Sequence, residues 1–76
     1  MMKYSYKLNG KAISEPQIVA QGLVKPGILE YMKAESLKLY RHNEWMEDSY
    51  SVNWALRGQN REISDDTLVI ALHKMP

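Results

Sequence analysis

Tyr50, Val52, Trp54 and Leu56 alternate with Ser51, Asn53, Ala55 and Arg57. A repeat of two belongs to a half-buried β-strand, because successive side chains of a strand point to opposite faces. A second alternation opens the chain, with Tyr4, Tyr6 and Leu8 set against Lys3, Ser5 and Lys7. That strand would carry one apolar and one basic face. Asn9-Gly10 follows and accepts the two positive φ values of a type I′ turn. Lys11-Ala12-Ile13 is then a short returning strand, and residues 3–13 read as a β-hairpin.

Between the two alternations the pattern turns helical. Ser14-Glu15-Pro16-Gln17 has a capping residue, a proline suited to the first turn and a glutamine three places on, as a capping box requires. Gly22 can take the left-handed conformation that ends a helix, so the first helix is predicted over 14–21. Pro26 disfavours a helical Lys25 and can open a new helix. The spacing predicts that helix over 27–41. Ile28, Met32, Glu35 and Leu39 fall on one side, broadened by Leu29, Tyr31 and Tyr40, while Lys33, Ser36, Lys38 and Arg41 fall on or near the other. Residues 43–49 read as a polar loop anchored by Trp45 and Met46. After the strand at 50–57, Gly58-Gln59-Asn60 reads as a turn and Arg61-Glu62-Ile63 as a short return. Thr67–Leu72 suits either a buried strand or a helix, since periodicity does not separate the two in so short an apolar run. The cap-like Ser64-Asp65-Asp66 and the terminal His73 and Lys74 tip the reading to a helix. The fold class expected is α+β: an N-terminal hairpin, a helix-turn-helix and a β-wing, winged-helix-like.

Seventy-six residues suit one domain, 1–76, which buries roughly 60% of the surface its unfolded chain exposes. There is no cysteine, which removes disulfides and thiolate chemistry and points to an intracellular, cytoplasmic protein. No apolar h-region follows Met1, and no apolar run is long enough to span a membrane. Catalysis is not expected. His42 and His73 lie far apart in the chain, the serines sit in no nucleophile elbow, and no glycine-rich phosphate loop is present. No metal or cofactor is therefore expected.

Binding remains. The helix–turn–helix spacing places the second helix where a recognition helix would lie. Lys25, Lys33, Ser36, Lys38 and Arg41 are its candidate contacts to duplex DNA, and Arg57 and Arg61 would reach phosphates from the tip of the wing. The net charge is only +1. Bases concentrate at Lys3, Lys7, Lys11 and at Lys33, Lys38, Arg41. Acids concentrate at Glu44, Glu47, Asp48 and at Glu62, Asp65, Asp66. Tyr4 and Tyr6 could stack single-stranded bases, or could simply pack a core. An alternative reading is a protein-binding module, or a homo-oligomer, joined through Tyr31, Tyr40, Trp45 and Met46.

One stretch resembles a known family. Ser14-Glu15, Ile18-Val19-Ala20, Gly22-Leu23, Lys25-Pro26-Gly27-Ile28 and Lys33-Ala34-Glu35-Ser36 look like the N-terminal helix-turn-helix of small phage excisionases. Val24 is an extra residue in that pattern, and Glu30 and Tyr31 stand where the family carries arginines. The resemblance covers about a third of the chain. It implies a winged-helix protein that binds and bends DNA, directing site-specific recombination or repressing transcription, and otherwise a phage-encoded inhibitor of a host protein remains the alternative.

Overall fold

A computed structural model describes residues 2–42, 48–56 and 66–75. The chain runs β1 (Met2–Leu8), β2 (Lys11–Ile13), α1 (Glu15–Ala20), α2 (Pro26–His42), β3 (Ser49–Ala55) and β4 (Thr67–Lys74). The strands form one antiparallel sheet in the order β2-β1-β4-β3. The α+β class is the one expected, and the arrangement is broadly winged-helix-like, with two helices among the described residues.

Local chemistry accounts for the first half. Asn9 and Gly10 take φ of 50° and 86°, the pair of positive values that a two-residue type I′ hairpin needs. The Ser14 hydroxyl accepts from the Gln17 amide at 3.3 Å, and the Gln17 side chain accepts from the Ser14 amide at 3.0 Å, closing the capping box. Gly22, at φ 68°, ends α1 in a Schellman motif. Its amide donates to the Val19 carbonyl and the Leu23 amide donates to the Ile18 carbonyl. Ile18 and Leu23 are both buried beneath this turn, which supplies the apolar contact that accompanies the motif.

Residues 67–74 form a strand, which corrects the helical reading of this segment. Tertiary pairing decides it. The strand is flanked on both sides, by β1 from Met2↔Lys74 to Leu8↔Leu68 and by β3 from Ser49↔His73 to Ala55↔Thr67. Asp66 does not cap a helix. Its carbonyl accepts from the Leu56 amide, and its carboxylate accepts from the Asn9 side chain. The expected partner of the strand at 50–57 changes in consequence. β3 pairs along its whole length with 67–74, and the predicted return at 61–63 lies outside the described residues.

The register sorts the sheet into two faces. Tyr6, Leu68, Ile70 and Leu72 point towards the helices and are buried with Ile18, Leu23, Val24, Leu29, Met32, Tyr40 and Leu56. Tyr4, Leu8, Ile13, Tyr50 and Trp54 pack around them. Every strand residue of alternate phase points away from both helices, and none of those is buried. Antiparallel sheets commonly leave one face to solvent in this way.

Candidate nucleic-acid interface

Among the described residues, the face of the sheet turned away from the helices carries the alternate phase of each strand. β1 presents Lys3, Ser5 and Lys7. Beside them β2 presents Ala12, β4 presents Thr67, Val69, Ala71 and His73, and β3 presents Ser49, Ser51, Asn53 and Ala55. None of these positions holds Asp or Glu. Lys3 stands directly across from His73, and Lys7 from Val69. The Ser5 hydroxyl and His73 Nε2 lie 2.9 Å apart in a hydrogen bond. Ser5, Lys7, Ser51, Val69, Ala71 and His73 line a depression of about 210 Å³. The face is thus cationic, dotted with hydroxyl and amide groups, and floored by small side chains that let a ligand come close.

Among the described residues of the helical side, Lys33 and Lys38 lie beside carboxylates, while Lys25 and Arg41 do not. Lys33 is a bridge between elements. Its ammonium lies 3.1 Å from the Glu15 carboxylate and 3.7 Å from Glu30, and 5.0 Å above the Tyr4 ring. The Tyr6 hydroxyl donates to the same Glu15 oxygen at 2.6 Å. That hydrogen bond, seconded by Lys33 and opposed by burial, holds the Glu15 carboxyl below the ordinary carboxylate range. Burial, then the Glu15 bond, pushes the Tyr6 hydroxyl far up. For Lys33 burial acts downwards, but the bond and charge of Glu15 together with Glu30 outweigh it and raise the ammonium. Charged and neutral partners are each locked in the form their neighbours favour.

The residues expected to touch DNA are therefore divided. Lys25 and Arg41 are exposed near the two ends of α2. Lys38 is exposed too, with Glu35 at 3.7 Å. Lys33 is committed to Glu15. Ser36 is corrected outright: it is fully buried, donates to the Met32 carbonyl at 2.7 Å and accepts from the Trp54 indole at 3.0 Å. Its short side chain lies on the stripe of α2 that meets the sheet, so it has no path to a groove. Arg57 and Arg61 lie outside the described residues. Tyr4 and Tyr6 point to the helices, so neither offers a ring for stacking on the open face. Of the residues expected at a protein contact, Tyr31 is exposed and Tyr40 is buried, and Trp45 and Met46 lie outside the described residues.

Sequence reasoning missed the grouping of Lys3, Lys7 and His73. The period of two at residues 3–8 already puts both lysines on one face. His73 joins them only when 67–74 is a strand.

Among the described residues there is no group of His, Asp or Glu that could hold a metal ion, and no helix is long and apolar enough to cross a membrane. The open-face strand positions around Ser5 and His73 supply no carboxylate to orient the imidazole, as a hydrolytic triad would require. Comparison with protein-family models, curated proteins and solved structures finds no match for this chain.

Proposed function

We propose that this chain is a small DNA-binding protein of the phage or mobile-element type, and that it grips the duplex with the open face of its sheet. The observation that carries the reading is the grouping of Lys3, Lys7 and His73 on a face with no carboxylate at any strand position. Phosphates are contacted by lysines, hydroxyls and side-chain amides, and Ser5, Ser51 and Asn53 supply the latter two. With no aromatic ring at the described strand positions of this face, base stacking has no part in the reading. Backbone contact dominates, and sequence preference comes from the shape of the duplex. The mobile-element assignment rests on the resemblance of residues 14–36 to excisionases. The reading is one of binding without catalysis.

A mobility-shift titration of duplex DNA over a salt series tests it. Two lysines imply a slope of log K on log salt of about −1.8 per copy. Lys3→Ala with Lys7→Ala is expected to weaken binding at least tenfold and to flatten the slope. Lys38→Ala with Arg41→Ala is expected to leave both nearly unchanged. The reverse ranking would return the interface to α2. No shift of any duplex at low salt would remove the DNA reading.

The second reading is a protein-binding module, and one observation favours it. Ile28, Tyr31 and Leu39 are 37%, 58% and 46% exposed on α2, and Ile28 and Tyr31 line an apolar depression of about 170 Å³ with Met32, Trp54 and Leu56. A stoichiometric protein complex that survives nuclease treatment and is lost in Tyr31→Glu would support it.

A further inference from the structure

β3 is the outer strand of the sheet on its side, and among the described residues only β4 pairs with it. Its seven residues, Ser49–Ala55, include no charge, no proline and no glycine. Soluble proteins ordinarily protect such an edge with a lysine, a proline, a bulge or a very short strand. The opposite edge has that protection, since β2 is three residues long and begins with Lys11. β3 has none of these devices.

We propose that the outer edge of β3 pairs antiparallel with β3 of a second copy, about a two-fold axis at Val52. The strand is self-complementary about that residue. Val52 would face its own counterpart, Ser51 would face Asn53, and Tyr50 would face Trp54, an aromatic pair of the kind that stabilises cross-strand contacts. An isologous interface needs this property, because one patch must fit itself. No charge lies on the strand, so no like charges meet across the axis.

The apolar residues left open on α2 complete the contact. Tyr31 lies edge-on to Trp54 with ring centroids 6.5 Å apart, which puts the start of α2 beside the end of β3. Leu39 is eleven residues beyond Ile28, about three helical turns, and so lies on the same side of the helix. α2 carries these residues along the side of β3 that the second copy would approach.

A two-fold axis that makes strands antiparallel stands perpendicular to the sheet. Both helical layers then lie on one side and both open faces on the other. The result is a continuous eight-stranded sheet with two sets of Lys3, Lys7 and His73 on one surface. The inference stands on the edge and the exposed apolar residues of α2. It does not require DNA binding, but it would double the cationic surface that a duplex meets.

The test uses nuclease-treated protein with no DNA, so its outcome is separate from that of the DNA reading. Sedimentation equilibrium at about 100 µM should give twice the 8.8 kDa chain mass. Ser51→Lys with Asn53→Lys, at two exposed positions, should raise the dimer dissociation constant at least tenfold while the circular dichroism stays that of wild type. Val52→Cys fixes the register, since the chain has no cysteine of its own. Directly opposed strand residues are about 4.5–5.5 Å apart at Cα, within reach of a disulfide. Mild oxidation should cross-link Val52→Cys in high yield and Ser49→Cys hardly at all, because two Ser49 positions would lie roughly 20 Å apart. A monomeric wild type, a dimer indifferent to the lysines, or equal cross-linking of the two cysteine variants would overturn the proposal.

Discussion

The Trp54 indole donates a 3.0 Å hydrogen bond to the hydroxyl of Ser36. This contact joins β3 to the middle of α2 through a hydroxyl that itself donates to the Met32 carbonyl. A serine is tolerated in the core here because both its roles are filled. Ser36→Ala should leave the half-buried indole N–H without an acceptor and cost about 1–3 kcal/mol. For a chain of this size that lowers Tm by roughly 4–8 °C per kcal/mol. DNA affinity of the folded variant should equal that of wild type. A variant with unchanged Tm and weakened DNA binding would show that the hydroxyl faces the ligand.

The Tyr6, Glu15 and Lys33 cluster predicts how stability follows pH. Glu15 is held below its ordinary value of 4.5, so its contribution is present above that pH and fades as pH falls through the lower, folded value. Tyr6 is raised above its ordinary 10.0 and Lys33 above its ordinary 10.5. Their contributions are present below those values and fade as pH rises beyond them. Thermal melts should therefore show a plateau between about pH 5 and 10, with losses on both sides. Tyr6→Phe removes the leading cause of the Glu15 shift, so its acid limb should be shallower than that of wild type. Superimposable acid limbs would contradict this coupling.

Gly22 tests the backbone alone. Its φ is 68°, and a Cβ built there meets nothing within 4 Å. Gly22→Ala should cost about 1–2 kcal/mol through left-handed backbone strain rather than collision. Gly22→Asn should cost less, because asparagine tolerates that conformation. Equal chemical-denaturation midpoints for wild type and Gly22→Ala would show that the Schellman turn is not held in the folded state.

Much of the fold was legible because its signals are local. The capping box at Ser14 and Gln17, the Asn9-Gly10 turn, the helix end at Gly22 and the start at Pro26 each depend on residues within a few positions of one another. The strand at 50–57 was legible because one of its faces is covered and the other is not, so its polarity alternates. β4 was not legible in the same way. Val69 and Ala71 lie on the open face, yet they are apolar, and their small side chains erase the alternation that a half-buried strand should print.

The candidate site shows the same division. Lys3 and Lys7 share a face by the period of two alone. Their union with His73 required β4 to lie beside β1, a pairing that runs from Met2↔Lys74 to Leu8↔Leu68 across most of the chain and that no local pattern encodes. Two of the expected contacts, Lys33 and Ser36, are taken up inside the fold for a related reason. Helical spacing placed Lys33 and Ser36 near a polar side, but it could not show that Glu15 would meet one and Trp54 the other. The sequence by itself determined the identity of most elements and the phase of their faces, because these follow from capping, turn sterics and side-chain periodicity. Only the tertiary structure decided, among the described residues, which face the helices leave open, which lysines meet acids and which strand lies at the edge, because those depend on contacts between residues far apart in the chain.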